Sequence, residues 1–204
     1  VCTHLQNKMI ITVRIWLSER TEHRVYKITK VEQLTETIYL MDVVAPRVAN
    51  KCLPGQFVIV RGSEDGERIP LTICDYSRED GTITIVFQVV GAATEMMKNK
   101  KVGDSFADFV GPLGCPSEFC KEDIEELKKK KILFVAGGVG TAPVYPQVKW
   151  LHEQGIDADV IIGGRNKSLI ILEDKMKKVA GNLYITTDDG SYGSKGVVAN
   201  EIQK

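Results

Sequence analysis

The amino-acid sequence predicts a small antiparallel β-barrel followed by a parallel-sheet α/β unit. Short apolar and β-branched runs crowd residues 25–114, with few helical stretches between them. A charged connector over 115–131 then breaks the pattern. Beyond it, over 132–204, the hydrophobic period alternates between strand and helix, as a parallel sheet with crossover helices requires.

Taken in order, residues 1–24 match neither unit and read as an extension, a vector-derived piece or an added strand. Val25 to Val31 alternates, Thr37 to Val44 is β-branched, and Pro54-Gly55 turns the chain into Gln56 to Arg61. Leu71 to Cys74 reads as a short strand, and Thr82 to Val90 as the strongest one, entered through the hairpin turn Asp80-Gly81. Ala92 to Lys100 suits a short helix, and Phe106 to Val110 ends the set at the turn Gly111-Pro112-Leu113-Gly114. The expectation is therefore six barrel strands. In the second unit, strand Ile132 to Ala136 leads to a helix from Thr141 to Gln154, stopped by Gly155. Strand Asp159 to Ile162, helix Leu172 to Val179 and strand Asn182 to Thr186 follow, with a further helix from Gly196. Three parallel strands are a poor stopping place for a doubly wound sheet, so the chain reads as truncated.

With 43% apolar residues, a real core is within reach. Lys+Arg and Asp+Glu both number 27, which gives no electrostatic reason to expect nucleic acid or an anionic membrane as partner. The longest candidate span, Met9 to Leu17, carries Arg14 and falls short of the ~20 residues a bilayer needs. No small-residue cleavage site follows it. Five irregularly spaced cysteines argue for a reduced, cytoplasmic protein rather than a disulfide framework. Cys115 and Cys120 lack a second pair, so no metal site is assigned.

Ala136-Gly137-Gly138-Val139-Gly140-Thr141-Ala142-Pro143 carries the most chemistry. Its glycines let the backbone turn sharply and approach a ligand closely, and Thr141 is placed to cap the helix with Pro143 in its first turn. Free amides at that helix start suit a nucleotide pyrophosphate. The same pattern also fits an ordinary tight strand-to-helix turn.

A barrel followed by a nucleotide-binding half-sheet is the layout of the ferredoxin reductase superfamily. Gly66 to Thr72 (GERIPLT), Val110 to Gly114 (VGPLG), Ala136 to Pro143 (AGGVGTAP) and Thr187 to Gly193 (TDDGSYG) jointly resemble one branch of it. That branch holds the small subunit of NADH-dependent ferredoxin:NADP oxidoreductase and the electron-transfer subunit of dihydroorotate dehydrogenase. The resemblance spans residues 26–204. It implies FAD on the barrel and NAD(P) on the sheet, with no acid–base or nucleophilic residue required, and none is assigned as catalytic.

By resemblance, Arg68 clamps the FAD pyrophosphate, while Pro70, Leu71 and Thr72 run beside the ring. Taken alone, Arg68 also suits a surface pairing with Glu64, Asp65 or Glu67. No aromatic residue follows Arg68, a departure from the superfamily's commoner R-x-[YF]-[ST] pattern that puts aromatic stacking on the flavin in doubt. Gln88, Val89, Gly91 and Thr94 match further FAD contacts, and suit a strand end, turn and cap equally well. Gly137, Gly138, Val139, Gly140 and Thr141 are expected to take the NAD(P) pyrophosphate. Gly164 and Arg165 end the second strand where the adenosine ribose lies; Arg165 suits either a 2′-phosphate or an acidic neighbour, so NADH and NADPH both stay open. Asp188, Asp189 and Gly190 suit ribose hydroxyls or a plain Asp-Gly turn.

The branch carries a [2Fe-2S] cluster on a cysteine-rich C-terminal segment, and nothing within 1–204 has that spacing. The implied partner is a larger flavin and iron–sulfur subunit resembling the glutamate synthase small subunit, or else the dihydroorotate dehydrogenase catalytic subunit, with a ferredoxin-type acceptor. The runs GERIPLTICD and TDDGSYGSKG favour the first. A non-enzymatic nucleotide-binding or assembly module is the alternative from another class.

Overall fold

The computed structural model describes residues 26–199; expectations for 1–24 lie outside them. Seven strands make the first sheet: β1 (Tyr26–Gln33), β2 (Ile38–Val44), β3 (Phe57–Arg61), β4 (Arg68–Ser77), β5 (Thr82–Gln88), β6 (Ser105–Phe106) and β7 (Asp108–Leu113). Their order is β6-β1-β2-β5-β4-β3-β7, with antiparallel pairing throughout. The two edge strands are consecutive in the chain, and the Ala107 N–H between them donates to the Arg61 carbonyl at 2.9 Å. This bends the sheet into a nearly closed barrel and removes most of its free edge. Helices α1 (Pro46–Ala49) and α2 (Ala92–Lys98) sit in its connections.

The strength of β2 and β5 in the sequence has a structural cause. Tyr39, Met41 and Val43, with Ile83, Ile85 and Phe87, fill the barrel interior. Their alternate neighbours Ile38, Leu40 and Val86 point the other way, into a second core shared with the α/β unit. Both faces are buried, so the strands read as continuous apolar runs rather than as alternation.

The second sheet has four parallel strands in the order β11-β10-β9-β8: β8 (Leu133–Gly137), β9 (Asp159–Gly164), β10 (Leu183–Thr187) and β11 (Ser194–Lys195). Helix α3 (Ile124–Leu127) lies in the connector, α4 (Thr141–Glu153) follows β8, and α5 (Glu173–Met176) follows β9. Ala142, Tyr145 and Val148 of α4 pack on Leu40, Cys74 and Val86 of the barrel.

Several expectations need correction. β4 is ten residues long, not four, because it changes partner: Arg68–Thr72 pair with β3, and from Ile73 the strand pairs with β5. The expected strand Phe106–Val110 is two strands, so Gly111, Pro112 and Leu113 belong to β7 and form no turn. A fourth parallel strand extends the half-sheet, and the helix expected over Leu172–Val179 shortens to Glu173–Met176. Helical backbone resumes only at Val198, near the end of the described residues. Thr141 is the first residue of α4 rather than its cap. The turn Gly138–Gly140 is already helical in sense and leads straight into the helix, leaving Gly140 as the cap.

Candidate functional site

A cleft of about 650 Å³ opens where the barrel meets the carboxyl ends of β8, β9 and β10. That is the edge at which open α/β sheets place ligands, and the volume falls within the small-molecule range. Gly137, Gly138, Val139, Gly164, Arg165 and Asp188 line it from the sheet side. Gln88, at the end of β5, lines it from the barrel side. Thr37 and Ile38 line it too, and the sequence marked neither of them. They stand there because Ile38 pairs with Gln88 and the Thr37 carbonyl accepts from Val89 N–H at 2.8 Å.

The glycine loop leaves its backbone open to the cleft. Gly138 has φ +52°, a left-handed conformation that favours glycine, and a Cβ there or at Gly140 would meet no protein atom within 4 Å. The space above the loop is therefore open. Just beyond it, the Thr141 hydroxyl is fully buried and has no hydrogen-bond partner among the described residues. Buried hydroxyls without partners are rare, and this one sits at the first turn of a thirteen-residue helix. Gly140 and Thr141 stand behind the lining rather than in it.

At the far wall, Asp188 N–H donates to the Gly164 carbonyl at 3.0 Å, leaving its exposed carboxylate at the cleft. Asp189 is occupied otherwise. Its Oδ1 accepts from Ser191 N–H at 2.8 Å, and hydrogen bonding from the Ser191 side chain first, then from this N–H, holds the carboxyl below its usual range. Gly190 completes the turn. Among the described residues Arg165 is exposed and has no ion-pair partner.

The other predicted residues lie apart, on the barrel. Arg68 Nη2 donates to Asp108 Oδ2 at 2.6 Å, and Arg61 Nε reaches the same oxygen at 2.7 Å. Asp108 is thus held below the usual carboxylate range, first by its hydrogen bond from Arg61. The partner of Arg68 is this distant carboxylate, not Glu64, Asp65 or Glu67; Glu64 pairs with Arg61 instead. Arg68 remains 60% exposed, so most of its donors face outward.

Backbone parity tells where its neighbours point. Ile73 N–H donates to the Gln56 carbonyl, so alternate residues 71 and 69 bond toward β3. The main-chain groups of Arg68, Pro70 and Thr72 then face the other flank, which β5 leaves unpaired upstream of Ile73. Pro70, lacking an N–H, loses nothing there. Leu71 is half-buried against the barrel core. Gly91 and Thr94 form a closed unit: Thr94 Oγ1 accepts from Val90 and Gly91 N–H and donates back to the Gly91 carbonyl. Val89 is half-buried beside them.

A nearly closed antiparallel barrel, joined to a parallel sheet whose glycine loop opens between the two, defines a ferredoxin reductase-like protein. No family model matches the chain. Among known proteins it is 61% identical, over 88% of its length, to an uncharacterized protein in the adh 3′ region of Clostridium beijerinckii. It is 40% identical, over 87% of its length, to a dihydroorotate dehydrogenase B electron transfer subunit homolog of Thermotoga maritima. With the electron transfer subunit of Streptococcus pneumoniae serotype 4, identity is 30%, covering 86% of this chain and 70% of that one. The chain belongs to the family of dihydroorotate dehydrogenase B electron transfer subunits. A solved NADH-dependent reduced ferredoxin-NADP oxidoreductase superposes with a TM-score of 0.79 at 36% identity, covering 90% of this chain and 63% of that one. The chain spans 60% of each of the first two relatives. No helix among the described residues is long and apolar enough to cross a membrane.

Proposed function

We propose that this chain is the FAD- and NAD(P)-binding part of an oxidoreductase subunit that passes electrons between NAD(P)H and an iron–sulfur partner. The observation that carries the reading is the cleft itself. It sets the open glycine loop facing Gln88 at the mouth of the barrel, with the orphaned Thr141 hydroxyl buried just behind the loop. The residues fit both groups. Arg68 supplies outward guanidinium donors for a pyrophosphate, and the unpaired flank at Pro70 and Thr72 offers a main-chain edge for a flat polar ring. Gly138 and Gly140 leave room for phosphates against the start of α4.

A bound flavin supplies the conversion of a two-electron hydride into single electrons. The protein binds and orients: residues 25–114 hold the flavin, 132–204 the nicotinamide nucleotide, and 115–131 link the two units. Asp188 bonds a ribose and Arg165 lies free for a 2′-phosphate or a ribose edge. Gln88 reaches from the flavin side to the nucleotide side.

Two partners fit. The names of the relatives favour a dihydroorotate dehydrogenase catalytic subunit. The superposed structure favours a larger flavin and iron–sulfur subunit resembling the glutamate synthase small subunit, serving a ferredoxin. The test is an absorbance spectrum of purified full-length protein loaded with FAD, before and after anaerobic NADH or NADPH. Flavin bands that bleach support the reading and identify the nucleotide. Protein that fails to retain FAD overturns it in favour of a binding module, and reduction of ferredoxin as against orotate then separates the partners.

A further inference from the structure

We propose that Asp75 is a positioning residue for hydride transfer. The inference rests on the redox reading above and adds how the two cofactor-bearing elements are held in register. Asp75 lies on β4, the strand whose residues Arg68, Pro70, Leu71 and Thr72 are assigned to the flavin. Its Oδ1 accepts from Lys149 Nζ at 2.7 Å and its Oδ2 from Lys175 Nζ at 2.9 Å. Lys149 is on α4, the helix that the glycine loop starts, and it donates also to the Tyr76 carbonyl at 3.1 Å. Lys175 is on α5. One carboxylate thus ties the flavin-side strand to both helices of the nucleotide side.

This triad lies beside the apolar seam that Leu40, Cys74 and Val86 make with Ala142, Tyr145 and Val148. Apolar burial opposes separation of the two surfaces but is non-directional, so by itself it tolerates sliding. Three charge-assisted hydrogen bonds from fixed directions do not. The Asp75 side chain is only 14% exposed, and each ammonium also rests over a ring, Lys149 over Tyr76 and Lys175 over Tyr145. Burial pushes the Asp75 carboxyl up, yet the two lysines outweigh it and keep it below its ordinary value. The Asp75 carboxylate therefore stays charged at neutral pH. Hydride transfer requires donor and acceptor atoms within about 3–3.5 Å, and displacement of about 1 Å costs up to a hundredfold in rate. A device that fixes α4 on β4 acts on that distance.

The test is stopped-flow reduction of the FAD-loaded full-length protein at saturating NADH or NADPH. Asp75→Asn is expected to keep FAD content and nucleotide affinity while its limiting reduction rate falls about tenfold or more. Because it strands two lysines, a triple variant, Asp75→Asn with Lys149→Met and Lys175→Met, removes every charge of the clamp and recovers stability. It also reads the rate should the single variant not fold. Slow reduction that persists in this stable variant marks positioning. Two results overturn the inference: a parental rate in Asp75→Asn, or a rate that returns with stability in the triple variant. A parent that neither nucleotide reduces overturns the redox reading and this inference together, whereas a reducible parent beside an equally fast Asp75→Asn overturns this one alone.

Discussion

On the barrel, Arg68, the guanidinium we propose for the FAD pyrophosphate, is held by Asp108, a side chain forty residues further along the chain. On the sheet, the proposed donors are backbone amides within the single run Gly137–Thr141. The first site carries full charges, already partly neutralised by each other. The second carries only the partial charge of a helix start, about half an elementary charge, and no acidic side chain among the described residues pairs with it. On the proposed reading, affinity at Arg68 is therefore a difference between two partners for one guanidinium, whereas affinity at the loop depends on keeping a small space empty.

The largest effect that separates the two is expected from Arg68→Ala. Loss of charge-assisted hydrogen bonds of about 1.5–3 kcal/mol should weaken FAD about 10- to 100-fold by titration calorimetry. NAD(P)H affinity and melting temperature should hold, because Arg61 still pairs with Asp108 and exposed ion pairs contribute little. Equal loss at both sites would erase the distinction.

Next comes Gly140→Ala. Gly140 has φ −64°, and its added methyl meets no protein atom within 4 Å, so folding does not require glycine there. NAD(P)H should weaken about tenfold, the equivalent of one lost hydrogen bond to a charged group, with FAD unchanged. A lowered melting temperature instead would assign the glycine to the fold.

Thr141→Val sharpens the comparison in the opposite direction. Its hydroxyl has no partner among the described residues, so replacing it should leave the unliganded protein as stable or more stable, by about 1 kcal/mol in urea unfolding. Nucleotide affinity should hold, because the fully buried hydroxyl lies behind the cleft lining. Thr94, whose hydroxyl is fully bonded, should give the reverse: Thr94→Val destabilises.

The smallest effect is on acid stability, and it touches neither site. The folded Asp75 carboxyl lies below its ordinary value, through its lysines and despite its burial. Its contribution is therefore complete above the unfolded carboxyl value of about 4 and is lost as pH falls through the lower folded value. Urea midpoints measured from neutral pH into acid should fall less steeply in Asp75→Asn than in the parent. Parallel curves would show that the clamp does not titrate in that window.

The amino-acid sequence by itself determined what depends on neighbours along the chain. β-Branched runs, hairpin turns and the change of period marked barrel and sheet, and three glycines before a helix marked the loop that opens on the cleft. Backbone conformation is set by a few adjacent residues, so such features are written locally. Only the tertiary structure decided that β4 changes partner at Ile73, that Thr37 and Ile38 reach the cleft, and that Thr141 heads its helix with an unpaired hydroxyl. It alone brought Asp108 to Arg68, and Lys149 and Lys175 to Asp75, across separations of 40, 74 and 100 residues. A carboxylate in sequence carries no mark of the cation that will face it. That pairing follows from how the barrel closes and where α4 lies against it.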